Sequence, residues 1–224
     1  MSIRDNIQNV RKRVALAVSR SGRGAEDVKI IAAIKNVPLQ QVYEALAEGI
    51  TDIGENRIQE AEKRYNTLKE KYPKAGFHFI GHLQRNKVRQ SLDMFDIIHS
   101  VDSSRLLQEI DARAVKPVSV LIEVNTSGET SKFGIEFDKA IGLAELATTF
   151  KNINVRGLMT IGPLTDDPDL SRECFRRLKE LKDRIVSIGI ALPNLSMGMS
   201  GDFEIAVEEG SNMVRIGRAI FKGG

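Results

Sequence analysis

Lys35 is the side chain in this sequence with the most chemical promise, because it closes the apolar run VKIIAAI at residues 28–34. Burial penalises a charged ammonium and lowers its pKa. The neutral amine that results is the nucleophile that attacks an aldehyde to form a Schiff base. A rim lysine paired with Glu55 would satisfy the same position, and position alone does not choose between the two. The second constellation is LSMGMSGDFEIAVEEGSNMVRIG, residues 195–217. There Ser200 and its glycine neighbours precede Asp202, a candidate helix cap, and a hydroxyl with free amides at a helix start suits a phosphate. Gly217 lets backbone approach a ligand closely, and the amides of Gly217 and Arg218 could join the same anion site. Read singly, each is also an ordinary βα turn.

The remaining polar candidates point to less. Asn56 follows the strand candidate TDIGE directly and could equally cap the next helix. His78 and His82 bracket a strand, His99 has nothing to pair with nearby, and no cysteine or carboxylate stands at ligand spacing, so no metal site is expected. Cys174, the only cysteine, sits in a charged helix without a nearby histidine and reads as a structural thiol in a reducing compartment. No GxGxxG follows a strand, and neither GxxxxGK[ST] nor GxSxG occurs, which removes the main support for NAD, ATP and serine-hydrolase chemistry. The 33 basic and 30 acidic side chains leave a net charge of only +3, with both signs interspersed. The cluster Arg85, Lys87, Arg89 reads as a solvated helix face, and no nucleic-acid partner is expected. With no apolar segment long enough for a signal peptide or membrane span, a cytoplasmic protein without a membrane partner is expected.

The elements that must position these residues repeat one grammar. An amphipathic helix carries Ile3, Ile7, Val10, Val14 and Val18 on one stripe and ends at Gly22 and Gly24. Eight short strand candidates follow, at 28–34, 51–55, 77–81, 97–101, 118–125, 155–162, 195–199 and 213–217. Each leads into a helix or a helix start; Pro38 opens one that runs to Gly49, and Asp102 or Ser103 can cap another. Alternation at this count predicts an α/β fold, a single (β/α)8 TIM-type barrel over residues 1–224 with an extra N-terminal helix. A doubly wound open sheet is the rival. The barrel is favoured because glycines, serines, asparagines and charges gather just after the strands, at the rim where barrels build their sites.

Taken together, IAAIK, IGENRIQE, FHFIGHLQRNK, VLIEVNTSGETSKFG, GLMTIG and LSMGMSGDFEIAVEEGSNMVRIG resemble, in order and over nearly the whole length, the pyridoxal phosphate homeostasis proteins. That family looks like the amino-terminal barrel of alanine racemase standing alone. The resemblance implies pyridoxal 5′-phosphate (PLP) as cofactor, with Lys35 as the Schiff-base lysine and Asn56 facing the ring. It implies Ser200 and the amides of Gly217 and Arg218 as a phosphate cup, Arg215 at the pyridine nitrogen, and Lys132 in a loop near the cofactor. Two positions depart from the family's pattern. Ile34 stands where a small polar residue often precedes the lysine, and Arg218 stands where serine or threonine is usual.

Arginine at the ring nitrogen disfavours its protonation and weakens the ring as an electron sink. Alanine racemase adds a tyrosine base from a partner subunit, whereas Tyr43, Tyr65 and Tyr72 here all fall in or beside outer helices, and no second domain is expected after Gly224. The expectation is a PLP carrier in vitamin B6 homeostasis without efficient turnover, monomeric, with apo PLP-dependent enzymes as candidate partners. The alternative is a low-activity PLP-dependent amino-acid racemase.

Overall fold

Each β-branched run in this chain is too short for a helix and apolar at consecutive positions, the pattern of a strand covered on both faces. The computed structural model describes residues 2–22, 28–129 and 132–222. In it the runs become β1 (Lys29–Ala33), β2 (Asp52–Glu55), β3 (Gly76–Phe79), β4 (Ile97–Val101) and β5 (Val118–Asn125). These are followed by β6 (Ile135–Glu136), β7 (Ile153–Met159), β8 (Asn194–Ser196) and β9 (Met213–Ile216). All pairings are parallel. β1 pairs with both β2 and β9, and β4 with both β3 and β5, so the sheet closes on itself. The Ile31–Arg215 register across β1 and β9 is incompatible with the open-sheet rival. The two-residue β6, which no run of apolar residues announced, pairs only with the end of β5 and lies outside the closed ring.

Helices α2 (Leu39–Ala47), α3 (Ile58–Lys71), α4 (Val88–Met94), α5 (Ser104–Arg113), α6 (Ala140–Thr148), α7 (Pro168–Ser187), α8 (Phe203–Glu208) and α9 (Arg218–Phe221) surround the barrel. Ser103, of the two candidates, caps α5 by accepting the Leu106 amide. Strand alternation divides the interior in two. Ile31, Leu121, Met159 and Met213 form a small cluster of their own, whereas Ala32, Ile53, Ile98, Val120, Leu158 and Val214 join the helices in the main core.

The N-terminal helix α1 (Ile3–Arg20) opens with a capping box between Ser2 and Asp5. It buries Ile7, Val10, Val14 and Ala17, and each fully buried Val or Ile side chain contributes about 1.5–3 kcal/mol. Asn6 Nδ2 donates to the Ile220 carbonyl at 2.9 Å, and Arg13 and Arg20 pair with Glu204 and Glu208 at 2.7 Å each. The helix thereby braces α8 and α9, the elements that carry the last two rim turns. Gly22 (φ +66°) follows its end; Gly24 lies outside the described residues. Among the described residues no helix is long and apolar enough to cross a membrane.

Candidate functional site

A cavity of about 810 Å³ opens at the carboxyl ends of the strands. Lys35, Asn56, Ser200, Arg215, Gly217 and Arg218 all line it, although they come from four separate rim turns. Lys132 does not line it. That lysine donates to Glu129 Oε1 at 2.7 Å and to the Gly162 carbonyl at 3.1 Å, tying its loop to the end of β7.

Of the two readings left open for Lys35, the structure gives the rim lysine, without Glu55 as its partner. β1 stops at Ala33, Ile34 is buried, and Lys35 is exposed on the rim. It occupies the second position of a turn closed by the Val37 amide and the Ile34 carbonyl at 3.1 Å. Asn36, the next residue, has φ +57°, the positive value such a turn requires at its third position. Asparagine tolerates that conformation, while β-branched residues do not. The Glu55 carboxylate proposed as a partner pairs instead with Arg64 at 3.4 Å. Asn56 is half-buried and does not cap α3, whose N-cap is Arg57 with no side-chain bond.

The turns after β8 and β9 form one surface. Ser200 Oγ accepts the Ala219 amide at 3.2 Å, and the Arg215 amide donates to the Gly198 carbonyl at 3.0 Å. Asp202 stands at the N-cap of α8 but does not cap it; its Oδ1 accepts the Met199 amide at 2.6 Å. Among the described residues the amides of Ser200, Gly201, Gly217 and Arg218 have no protein acceptor. A Cβ on Gly217 would stand 3.2 Å from the Ala33 carbonyl oxygen, so this glycine permits close packing against β1. Arg218 is exposed on the cavity wall.

Arg215 is 4% exposed and rigidly held. Its Nη1 donates to the Ser196 carbonyl (2.7 Å) and Ser196 Oγ (2.6 Å), and its Nη2 to the Thr160 carbonyl (2.7 Å). Burial pulls the guanidinium down to about 10, against the opposing pull of Glu123 and Asp202, so it stays cationic at neutral pH. Behind Ser196 lies His99, whose Nδ1 is 3.0 Å from Ser196 Oγ and whose Nε2 is 2.9 Å from His78 Nδ1. His78 Nε2 in turn meets Asp52 Oδ1 at 2.7 Å. The expectation that His99 has nothing to pair with is therefore corrected, because its partners are 21 and 97 residues away in the chain. A further buried group that motif reading passed over is Glu123, 3% exposed. Burial and then the Asp102 charge push its carboxyl up to about 7, against Arg215. Cys174 is buried and in contact with Thr126 Oγ1, and burial pushes its thiol up, as suits a structural role.

A closed parallel barrel with a lysine, a guanidinium and unpaired amides around one rim cavity defines a class, and comparison with known proteins narrows it. The profile described as alanine racemase, N-terminal domain, matches residues 2–223. A pyridoxal phosphate homeostasis protein of Aquifex aeolicus is 42% identical over 225 residues, covering 99% of this chain and 98% of the relative. One from Vibrio cholerae is 38% identical, covering 98% and 95%. Among solved structures, PipY of Synechococcus elongatus with PLP bound matches at 28% identity and a TM-score of 0.85, covering 98% of this chain and all of that one. Alanine racemase of Clostridium difficile, at 18% identity and a TM-score of 0.77, shares the fold over 56% of its length. The chain belongs to the pyridoxal phosphate homeostasis protein family, built on the alanine racemase N-terminal barrel.

Proposed function

We propose that this chain binds PLP in the rim cavity and holds it for the cell's vitamin B6 balance without efficient turnover of its own. The observation that carries this reading is the convergence of Lys35, Arg215 and the unpaired amides of Ser200, Gly201, Gly217 and Arg218 on one cavity. The donor set fits the group. A primary amine suits an aldehyde, free amides with a hydroxyl suit a phosphate, and a guanidinium with unused N–H groups suits an unprotonated pyridine nitrogen. When bound, PLP supplies an aldehyde for amine capture and a conjugated ring able to take up electron density.

The residues then have distinct tasks. Lys35, exposed on its turn, supplies the amine. Ser200 and the four amides hold the phosphate, and Arg218 adds charge where a hydroxyl is usual in the family. Asn56, free of capping, faces the ring. Arg215, held at three points, donates to the ring nitrogen and keeps it unprotonated, which leaves the ring a weak electron sink. The protein acts as a single domain and as a monomer in the cytoplasm, and its partners are apo PLP-dependent enzymes that receive the cofactor.

Purified protein incubated with PLP should turn yellow, and borohydride should fix a pyridoxyl group on Lys35. Peptide mass spectrometry that places the adduct on another lysine, or finds none, overturns the assignment. Lys35→Ala should lose the adduct and retain residual affinity through the phosphate turns.

A further inference from the structure

Six polar side chains cross the barrel interior as one hydrogen-bonded string: Lys29 on β1, Asp52 on β2, His78 on β3, His99 on β4, Ser196 on β8 and Arg215 on β9. Counting hydrogens fixes the end at Arg215. Arginine only donates, so Ser196 Oγ accepts from Arg215 Nη1 at 2.6 Å. One arrangement directs the hydroxyl hydrogen of Ser196 to His99 Nδ1, 3.0 Å away. A neutral His99 that accepts at Nδ1 carries its hydrogen on Nε2, which faces His78 Nδ1 at 2.9 Å. His78 must then carry its own hydrogen on Nε2, 2.7 Å from Asp52 Oδ1.

Asp52 anchors the far end. It accepts from Lys29 Nζ at 2.8 Å and Thr51 Oγ1 at 2.7 Å as well. Burial opposes its ionisation, but the bonds from His78, Lys29 and Thr51 outweigh that and hold the carboxyl well below the usual carboxylate range. In that arrangement the donors between Arg215 and Asp52 all point toward the carboxylate, and Lys29 donates to it from the other side. With the His78–His99 bond reversed, His99 would donate from Nδ1 to Ser196 Oγ, whose second lone pair would still accept from Arg215. Burial, followed by the neighbouring His78 and Arg215, holds His99 well below the ordinary imidazole value.

The guanidinium has five N–H groups. Nη1 uses both of its hydrogens on Ser196, and Nη2 uses one on the Thr160 carbonyl. Among the described residues the Nε–H and the second Nη2–H have no protein acceptor, and Arg215 lines the cavity. We propose that His99, with His78 behind it, is a positioning residue for Arg215. By fixing the Ser196 hydroxyl as an acceptor for Nη1, the string sets the plane of the guanidinium and leaves its remaining donors for the ring nitrogen. This rests on the PLP reading above. Glu123 on β5 and Asp202 after β8 also act on Arg215 through their charge, but neither bonds to it.

The test has two arms, and only one needs PLP. In unloaded, nitrogen-15-labelled protein at neutral pH, the Arg215 Nη signals should be resolved by hindered rotation. In Ser196→Ala and in His99→Leu those Nη signals should merge. His99→Gln should keep them resolved, since its amide can accept from Ser196 and donate to His78. In the second arm, PLP-loaded Ser196→Ala and His99→Leu should still yield the Lys35 borohydride adduct. Their absorbance maximum and its pH profile should shift, with binding about tenfold weaker, and His99→Gln should restore the parental spectrum. Variants that lose thermal stability but keep resolved Nη signals and the parental spectrum would reduce the string to a structural role and overturn the proposal. If the parent captures no PLP, the cofactor reading fails, and the unloaded arm still decides whether the string positions Arg215. Should His99→Leu not fold, Ser196→Ala carries both arms.

Discussion

Arg64 Nη1, reaching in from α3, donates to the carbonyls of both Ile34 (3.4 Å) and Val37 (3.3 Å), the two residues that frame Lys35 and Asn36. The same guanidinium pairs with the buried Glu55. An outer helix thus braces the turn that presents the lysine to the cavity, while Asn36 supplies the left-handed residue that the turn needs.

Asn36 should therefore be replaceable by glycine but not by a β-branched residue. Asn36→Gly should leave PLP capture intact. Asn36→Val should lower stability by about 1–2 kcal/mol and slow capture, because the strained turn relaxes and carries Lys35 with it. Denaturant melts and the rise of PLP absorbance after mixing check both effects, and equal behaviour of the two variants would refute the role given to Asn36.

Ser200→Ala should weaken PLP more than pyridoxal, which lacks the phosphate. Charge-assisted hydrogen bonds to phosphate contribute about 1.5–3 kcal/mol each, or about 10- to 100-fold in affinity. Loss of the Ala219 contact also disturbs the turn, but that loss falls on both ligands equally. Titrations with each ligand isolate the difference, and identical losses would place the phosphate elsewhere.

Much of this was legible in the sequence, and the limits have physical reasons. The eight barrel strands were visible because buried parallel strands are continuously apolar, and the cavity residues because glycines and polar groups cluster after each one. The strand before Lys35 ends one residue earlier than the apolar run suggested, and the run could not choose between a buried and a rim lysine, since it does not reveal that Asn36 takes a positive φ. The His78–His99 pair was missed because local spacing carries no information on which residues meet across a closed barrel. Only closure brings His99 to Ser196, 97 residues on. One signal was available: His78 and His99 both stand inside apolar strand runs, where a polar side chain needs a partner.

Glu123 gives a pH-dependent stability with a definite sign. Its carboxyl titrates near 7 in the folded chain against an ordinary value of 4.5. Between those values the folded protein keeps a proton that the unfolded chain has released, so this group's contribution falls as pH rises through that window and levels off above it. Glu123→Gln removes the titration while keeping the shape. The variant should match the parent near about pH 4 and exceed it by about 2–4 kcal/mol near about pH 8. Urea unfolding at both values measures the gap, and a difference that does not change with pH would show that Glu123 is not the buried acid described.

The PLP-loaded protein should exchange the α-hydrogen of free amino acids far more slowly than an enzyme does. With Arg215 at the ring nitrogen as proposed, the ring would receive a hydrogen bond but no proton, so negative charge developing at the α-carbon would gain little from it. A second, opposing base is the other requirement, and among the described residues no tyrosine lines the cavity to serve as one. Tyr43 and Tyr65 lie on α2 and α3 and Tyr72 follows α3, and none of them lines the cavity. Glu123 has a suitable pKa but does not line the cavity either. Asp166, Asp167 and Asp202 do line it, and Asp167 Oδ1 and Asp202 Oδ1 accept the Asp169 and Met199 amides. A positioned general base contributes about 10²–10⁴-fold, so lack of the tyrosine should leave racemisation marginal. The measurement is deuterium incorporation, D-isomer and keto acid after incubation with L-alanine and several other amino acids. Exchange at enzyme-like rates that vanishes in Lys35→Ala would establish a low-activity racemase in place of a carrier. Absence of exchange, together with recovery of activity by an apo PLP enzyme mixed with the loaded protein, is the outcome expected of a carrier.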